Sequence, residues 1–132
     1  MTRLRREEAK RPPKFGDAVA SLDDQYPAFC LNQLQRGYCV WDCSKEQRAA
    51  FATRLRELSQ LTWVQLKMAP RHGCGFEKID RVSFRVAIPG HLTDDTVFLS
   101  FRCFGMAPMI GYRKGVTFFL LWLDRNFSVY RH

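Results

Sequence analysis

Eight consecutive residues, Arg71-His72-Gly73-Cys74-Gly75-Phe76-Glu77-Lys78, gather a histidine, a carboxylate and two cations around two glycines. Imidazole and carboxylate groups exchange protons near neutral pH, so His72 and Glu77 have the chemistry of an acid–base pair. Arg71 and Lys78 are phosphate ligands by type, and the glycines let the backbone approach a ligand closely. A plain connector with solvated charges would use the same residues. Further along, Arg85 and Arg102 interrupt apolar alternation, Tyr112-Arg113-Lys114 opens a hydrophobic run, and Tyr130-Arg131-His132 stand together. Guanidinium groups bind phosphate bidentately and stabilise the charge that builds on a phosphorane. Tyrosine stacks under a base, and histidine moves a proton. Arg102 stands out because it breaks a run of aromatic and apolar residues and has to meet an anion or water there.

These types suffice for RNA cleavage by attack of a 2′-hydroxyl on its neighbouring phosphate, without a metal. The expected catalytic set is Arg102, Arg113, His72, Tyr130 and His132. Arg71, Lys78, Arg81, Arg85, Tyr112 and Lys114 are the expected nucleic-acid contacts. No cofactor is expected. Cys39, Cys43, His72 and Cys74 are the residue types of a Cys₃His zinc site, but the second pair lacks a standard spacing, so a zinc site stays an open alternative. A Cys74–His72 nucleophile pair is disfavoured, because residues two apart in an extended loop point apart. Five cysteines are an odd number, and with no secretory leader read at the start they fit reduced thiols.

The elements that must position these groups are legible in outline. Ser44 with Gln47 makes a capping box ahead of Phe51, Leu55 and Leu58 at helical spacing. Thr62 with Gln65 makes a second box, stapled by Leu61 and Leu66, and Pro70 ends that helix. Pro27 to Leu34 reads as either a short strand or a helical turn. Val82, Phe84, Val86 and Ile88 alternate as a strand, and Pro89-Gly90 marks a turn. In the next strand Val97, Leu99, Phe101 and Cys103 share a face, opposite Phe98, Ser100 and Arg102. Val116 to Leu123 is apolar on both faces, the pattern of a central, doubly covered strand. Asp124-Arg125-Asn126 is a tight turn, and Phe127 to Arg131 is expected to return as the last strand of a hairpin. The expected fold is α+β, with two helices packed on a mainly antiparallel sheet of about four strands.

With 132 residues, 46% of them hydrophobic, the chain suits one domain with a real core. Residues 1–14 show no hydrophobic period and carry six basic against two acidic side chains, so they read as a flexible basic arm. Arg3, Arg5, Arg6, Lys10 and Arg11 there are suited to sequence-blind phosphate contact. Residues 15–132 form the expected domain. The formal net charge of +8 resides in that arm and in residues 68–132, while residues 15–67 balance. Such charge concerns solubility and partners, not fold, and it favours nucleic acid or an acidic protein. The longest apolar stretch, Val116 to Leu123, is too short to span a bilayer, and the start lacks the apolar core of a secretory signal. No membrane contact and a cytoplasmic location are expected.

The order of two helices followed by an arginine-bearing sheet, with GYRKGVTFFLLWLDRNFSVY at Gly111–Tyr130, resembles the RelE/ParE group of bacterial toxins over about residues 44–132. The resemblance implies an endoribonuclease of the mRNA-interferase kind in a toxin–antitoxin system, cleaving mRNA free or on the ribosome and neutralised by an acidic antitoxin. It matches Arg102 and Arg113 to the family's strand arginines, and Tyr130 or His132 to its C-terminal aromatic or acid–base residue. The ParE branch acts instead on DNA gyrase. Two other functions fit the same residues: a non-catalytic nucleic-acid- or ribosome-binding module, and an accessory or inhibitor protein of a mobile element.

Overall fold

The computed structural model describes residues 22–131. The expected basic arm 1–14, the first residues of the domain and His132 lie outside the described residues. A short strand β1 (Ala28–Cys30) leads through a 3₁₀ turn at Val40–Asp42 to helix α1 (Lys45–Leu58) and helix α2 (Trp63–Met68). Strand β2 (Phe76–Ile79), a 3₁₀ turn at Arg81–Ser83 and strands β3 (Phe98–Phe104), β4 (Ala107–Lys114) and β5 (Thr117–Leu123) follow. The strands form one sheet in the order β1-β5-β4-β3-β2.

Both helices begin where their boxes place them. The Gln47 amide donates to Ser44 Oγ at 3.1 Å, and the Ser44 amide donates to Gln47 Oε1 at 2.9 Å. Thr62 and Gln65 repeat the exchange at 3.3 and 2.9 Å. Each box satisfies two amides that a helix start otherwise leaves open.

The α+β class holds, but the sheet has five strands and is mixed. β1 runs parallel to β5, with Ala28 opposite Thr117, while the other pairings are antiparallel. Four expectations are corrected. The loop expected at Arg71–Lys78 ends in β2, an edge strand pairing Glu77 with Ser100. The alternation at Val82–Ile88 is a 3₁₀ turn and an irregular segment whose one β-bridge among the described residues is Phe84–Tyr130. Ser83 Oγ donates to Asp80 O at 2.7 Å, a local bond that competes with strand pairing. The parity survives in part: Phe84, Val86 and Ile88 pack inward, but Val82, expected on the same face, is exposed. The expected return strand Phe127–Arg131 does not form either. The buried Asp124 carboxylate accepts the amides of Ser128 (2.8 Å) and Val129 (3.0 Å), donors that a hairpin would need. Tyr112-Arg113-Lys114 closes β4 and does not open β5, because Gly115, at φ 63°, turns the chain between them.

The sheet is covered on both faces. Phe51, Leu58, Trp63 and Leu66 from the helices pack on Leu99, Phe101, Met109, Phe118, Leu120 and Leu123. On the other face, Phe84, Val86, Ile88, Val129 and Tyr130 cover Phe98, Ile110, Leu121 and Trp122. A bulge opposite Ile110/Gly111 lets the successive residues Leu121 and Trp122 both face the second core. Among the described residues no helix is long and apolar enough to cross a membrane.

Gly111 packs directly against the β5 backbone, and a Cβ there would press into the Phe119 carbonyl. Gly111→Ala is expected to cost about 3 kcal/mol or more through overpacking against backbone that cannot yield. Gly90→Ala, with open space around it, should leave stability within about 0.5 kcal/mol. Denaturant melts of the two variants check this; equal midpoints would contradict the packing described.

Candidate functional site

Strand parity decides which arginines can meet. Phe101 packs against Trp63 and Phe76 on the helix face, so Arg102 projects from the opposite face. Arg113 lies on the helix side, its guanidinium 4.3 Å from the Trp63 ring and 2.7 Å from Asp23. Asp23 also holds Lys67 at 2.8 Å. The Lys67 hydrogen bond, reinforced by Arg113 and outweighing partial burial, keeps the Asp23 carboxyl below its usual range. The two arginines expected to act together therefore stand on opposite faces, and Arg113 is neutralised by a carboxylate.

A different set does converge. Arg71, Glu77, Arg102, Met106, Phe127 and Tyr130 line a cleft of about 170 Å³ beside β2 and β3. The turn after α2 aims Arg71: Pro70 O accepts the amides of Gly73 (2.9 Å) and Gly75 (3.0 Å), folding the chain back toward the sheet. Arg71 Nη2 then donates to Ser100 Oγ at 3.2 Å and lies 3.7 Å from Glu77 Oε1. Glu77 and Ser100 are register partners, and Arg102 follows Ser100 by one strand period on the same face. Tyr130 is brought in by its bridge to Phe84 and by the Asp124 turn. Its hydroxyl is 3.2 Å from Ser100 Oγ and donates to Glu77 Oε1 at 3.4 Å.

The cleft carries two guanidinium groups and one carboxylate. Arg71 Nε and Nη1 are buried with no hydrogen-bond acceptor, a costly state that an anion in the cleft would relieve. Burial, only partly offset by the Ser100 hydrogen bond, raises the Tyr130 hydroxyl above its ordinary value, so it keeps its proton at neutral pH. Glu77 and Tyr130 also line an adjoining depression of about 350 Å³ with Lys78, Asp80, Ser83 and Arg131, in which two cations face two carboxylates.

Of the expected residues, Arg71, Arg102 and Tyr130 meet here, and Lys78 borders the adjoining depression. His72 is exposed and is not part of the cleft lining. Arg81 donates to Thr93 O at 2.9 Å and stands 5.8 Å from the Phe98 ring. Tyr112 stacks on Phe119 at 5.1 Å and donates to Gln33 Oε1 at 2.8 Å. Arg85 and Lys114 are exposed elsewhere. Glu77, which the sequence pairs with His72, works with Arg71 and Tyr130 instead. Sequence reasoning misses Ser100, which is fully buried, and also Phe127 and Met106. The signal for Ser100 is a hydroxyl in the inward run FLSFRCF; Phe127 and Met106 give none. Among the described residues no three His, Cys, Asp or Glu side chains gather to hold a metal ion, so Cys39, Cys43, His72 and Cys74 form no such group. Cys103 is a core thiol whose burial pushes it up to about 12, and it is not a nucleophile.

A raised tyrosine pKa has a defined sign in stability. The unfolded chain loses this proton near 10 while the folded chain keeps it, so the contribution is whole below pH 10 and is lost as pH climbs through the folded value. Ultraviolet titration of tyrosinate should show one late-ionising group that disappears in Tyr130→Phe, and the variant should melt less steeply above pH 10. An unchanged titration would contradict the buried hydroxyl.

Comparison with protein-family models, curated proteins and solved structures yields no match to this chain.

Proposed function

We propose that the Arg71–Glu77–Arg102–Tyr130 cleft binds an RNA phosphodiester and cleaves it by 2′-hydroxyl attack. The observation that carries this reading is a carboxylate and a protonated phenol 3.4 Å apart, flanked by two guanidinium groups of which one has two buried nitrogens without an acceptor. Arg102 and Arg71 hold the phosphate and stabilise the dianionic phosphorane. Glu77 accepts the 2′-hydroxyl proton as the O2′–P bond forms. Tyr130 gives its proton to the departing 5′-oxygen as the P–O5′ bond breaks, leaving a 2′,3′-cyclic phosphate. The Glu77–Tyr130 contact then passes the captured proton back to the phenolate, restoring both groups. Nothing in this sequence of steps requires a metal or another cofactor.

In this reading the chain is a small toxin of the RelE-like kind, cleaving RNA free or on the ribosome and restrained by an acidic antitoxin. The net charge of +8 supports an anionic substrate and an acidic partner. One observation favours a second reading, a non-catalytic RNA- or ribosome-binding module: Glu77 is already engaged by both Arg71 and Tyr130, as a purely structural cluster would have it.

The purified chain should convert RNA to fragments ending in cyclic phosphate and arrest growth when expressed. Arg102→Ala and Glu77→Gln should each lower cleavage about 100-fold or more while leaving the melting temperature within a few degrees. Glu77→Gln that still binds RNA, beside a wild type without turnover, would establish the binding module instead. Cleavage undisturbed in Arg102→Ala would overturn the site.

A further inference from the structure

We infer that a pocket on the helix face of the sheet binds a small amphipathic anion, a carboxylate joined to an apolar body, with Lys67 and Lys78 meeting the carboxylate and Phe76, Val97 and Leu99 meeting the body. The pocket lies on the face opposite Arg102, so the inference stands apart from the phosphodiester reading of the cleft.

Lys67, Phe76, Lys78, Val97, Leu99 and Arg113 line this pocket of about 530 Å³, a volume that suits a small molecule. The brevity of α2 leaves it open. The helix is six residues long, and its Trp63 packs against Phe76 and Phe101. Lys78 and Leu99 are register partners one strand period away on the same face, and they line the opening. Val97 is 53% exposed, apolar surface that a ligand body would take out of water. The charges in the same place are unbalanced. Asp23 serves both Lys67, at 2.8 Å, and Arg113, at 2.7 Å, and Arg113 Nε also donates to Gly115 O at 2.7 Å. Lys78 joins no ion pair among the described residues. Its neighbour Glu77 points to the other face, with Ser100. Three lining cations thus share one paired carboxylate, a balance that attracts an anion. A bare inorganic anion would leave the apolar wall wet, and an uncharged hydrocarbon would leave the cations unanswered. A molecule carrying both parts answers both.

The test follows the Val97 and Leu99 methyl resonances of the full chain during titration with 2-naphthoate, decanoate, their neutral amides and inorganic phosphate. At least one carboxylate should move both sets of methyls and saturate, and the tighter of the two tells whether the apolar body is a ring or a chain. The amide of that carboxylate should bind about tenfold or more weaker, since it leaves the cations without an anion. Phosphate should leave the methyls still. Lys78→Glu should weaken the carboxylate to the level of its amide and leave the amide unchanged. Val97→Trp fills the opening and should abolish the shift at Leu99, while melting within a few degrees of wild type because residue 97 is half in water. Glu77→Gln, which alters the cleft on the other face, should bind the carboxylate as wild type does. Neither carboxylate moving the methyls, an amide binding as tightly as its acid, phosphate alone producing the shifts, or binding undiminished in Val97→Trp would each overturn the inference without touching the cleft. Loss of binding in Glu77→Gln would place the ligand in the cleft and overturn the pocket.

Discussion

β5 has no wet face, and the molecule is arranged around that constraint. A strand reading TFFLLWL has to be covered above and below, since each large apolar side chain left in water would forgo about 1.5–3 kcal/mol. The helices α1 and α2 supply one cover. The other comes from Phe84, Val86 and Ile88 together with Val129 and Tyr130, which are not strands. The bulge at Leu121 is what turns two successive side chains into this second core. Because the second cover is built of irregular chain, it ends abruptly beside β2 and β3, and the cleft opens at that margin.

Polar groups at such a margin have to find one another. Ser100 is fully buried, and its hydroxyl is met by Arg71 on one side and Tyr130 on the other. Glu77 closes the ring from the edge strand. The residues come from separate parts of the chain, so the cluster exists only when the whole sheet is assembled. Charge alone would not have found it: Arg113 is as basic as Arg102, but its place on the helix face gives it Asp23 and the Trp63 ring, and it becomes a clasp between the N-terminal segment and the sheet. The face on which an arginine emerges decides whether it can meet a ligand or is consumed by the fold.

Local chemistry made much of this legible in the sequence. Both capping boxes, the split of Leu99 and Phe101 from Ser100 and Arg102, and the two-sided burial of β5, with Phe118 in one core and Leu121 in the other, follow from nearest-neighbour spacing. What did not follow depended on partners distant in sequence. β1 is three residues long and is a strand only because β5 lies beside it. Val82–Ile88 has the alternation of a strand but begins in a 3₁₀ turn held by Ser83 on Asp80, and Phe127–Arg131 forms no hairpin strand, since the Asp124 carboxylate takes the Ser128 and Val129 amides. Arg102 and Tyr130 could be singled out as candidates from their settings, and the structure places both on one cleft. Ser100 acquires meaning only from Arg71 and Tyr130, both far away along the chain.

The account is tested most directly by nitrogen-15 resonances of the arginine side chains during titration with an uncleavable 2′-O-methyl dinucleotide. It predicts that the Arg71 and Arg102 signals move together and saturate at one affinity while Arg113 stays still. Movement spread over exposed arginines such as Arg56 and Arg85, with Arg71 and Arg102 unchanged, would contradict it.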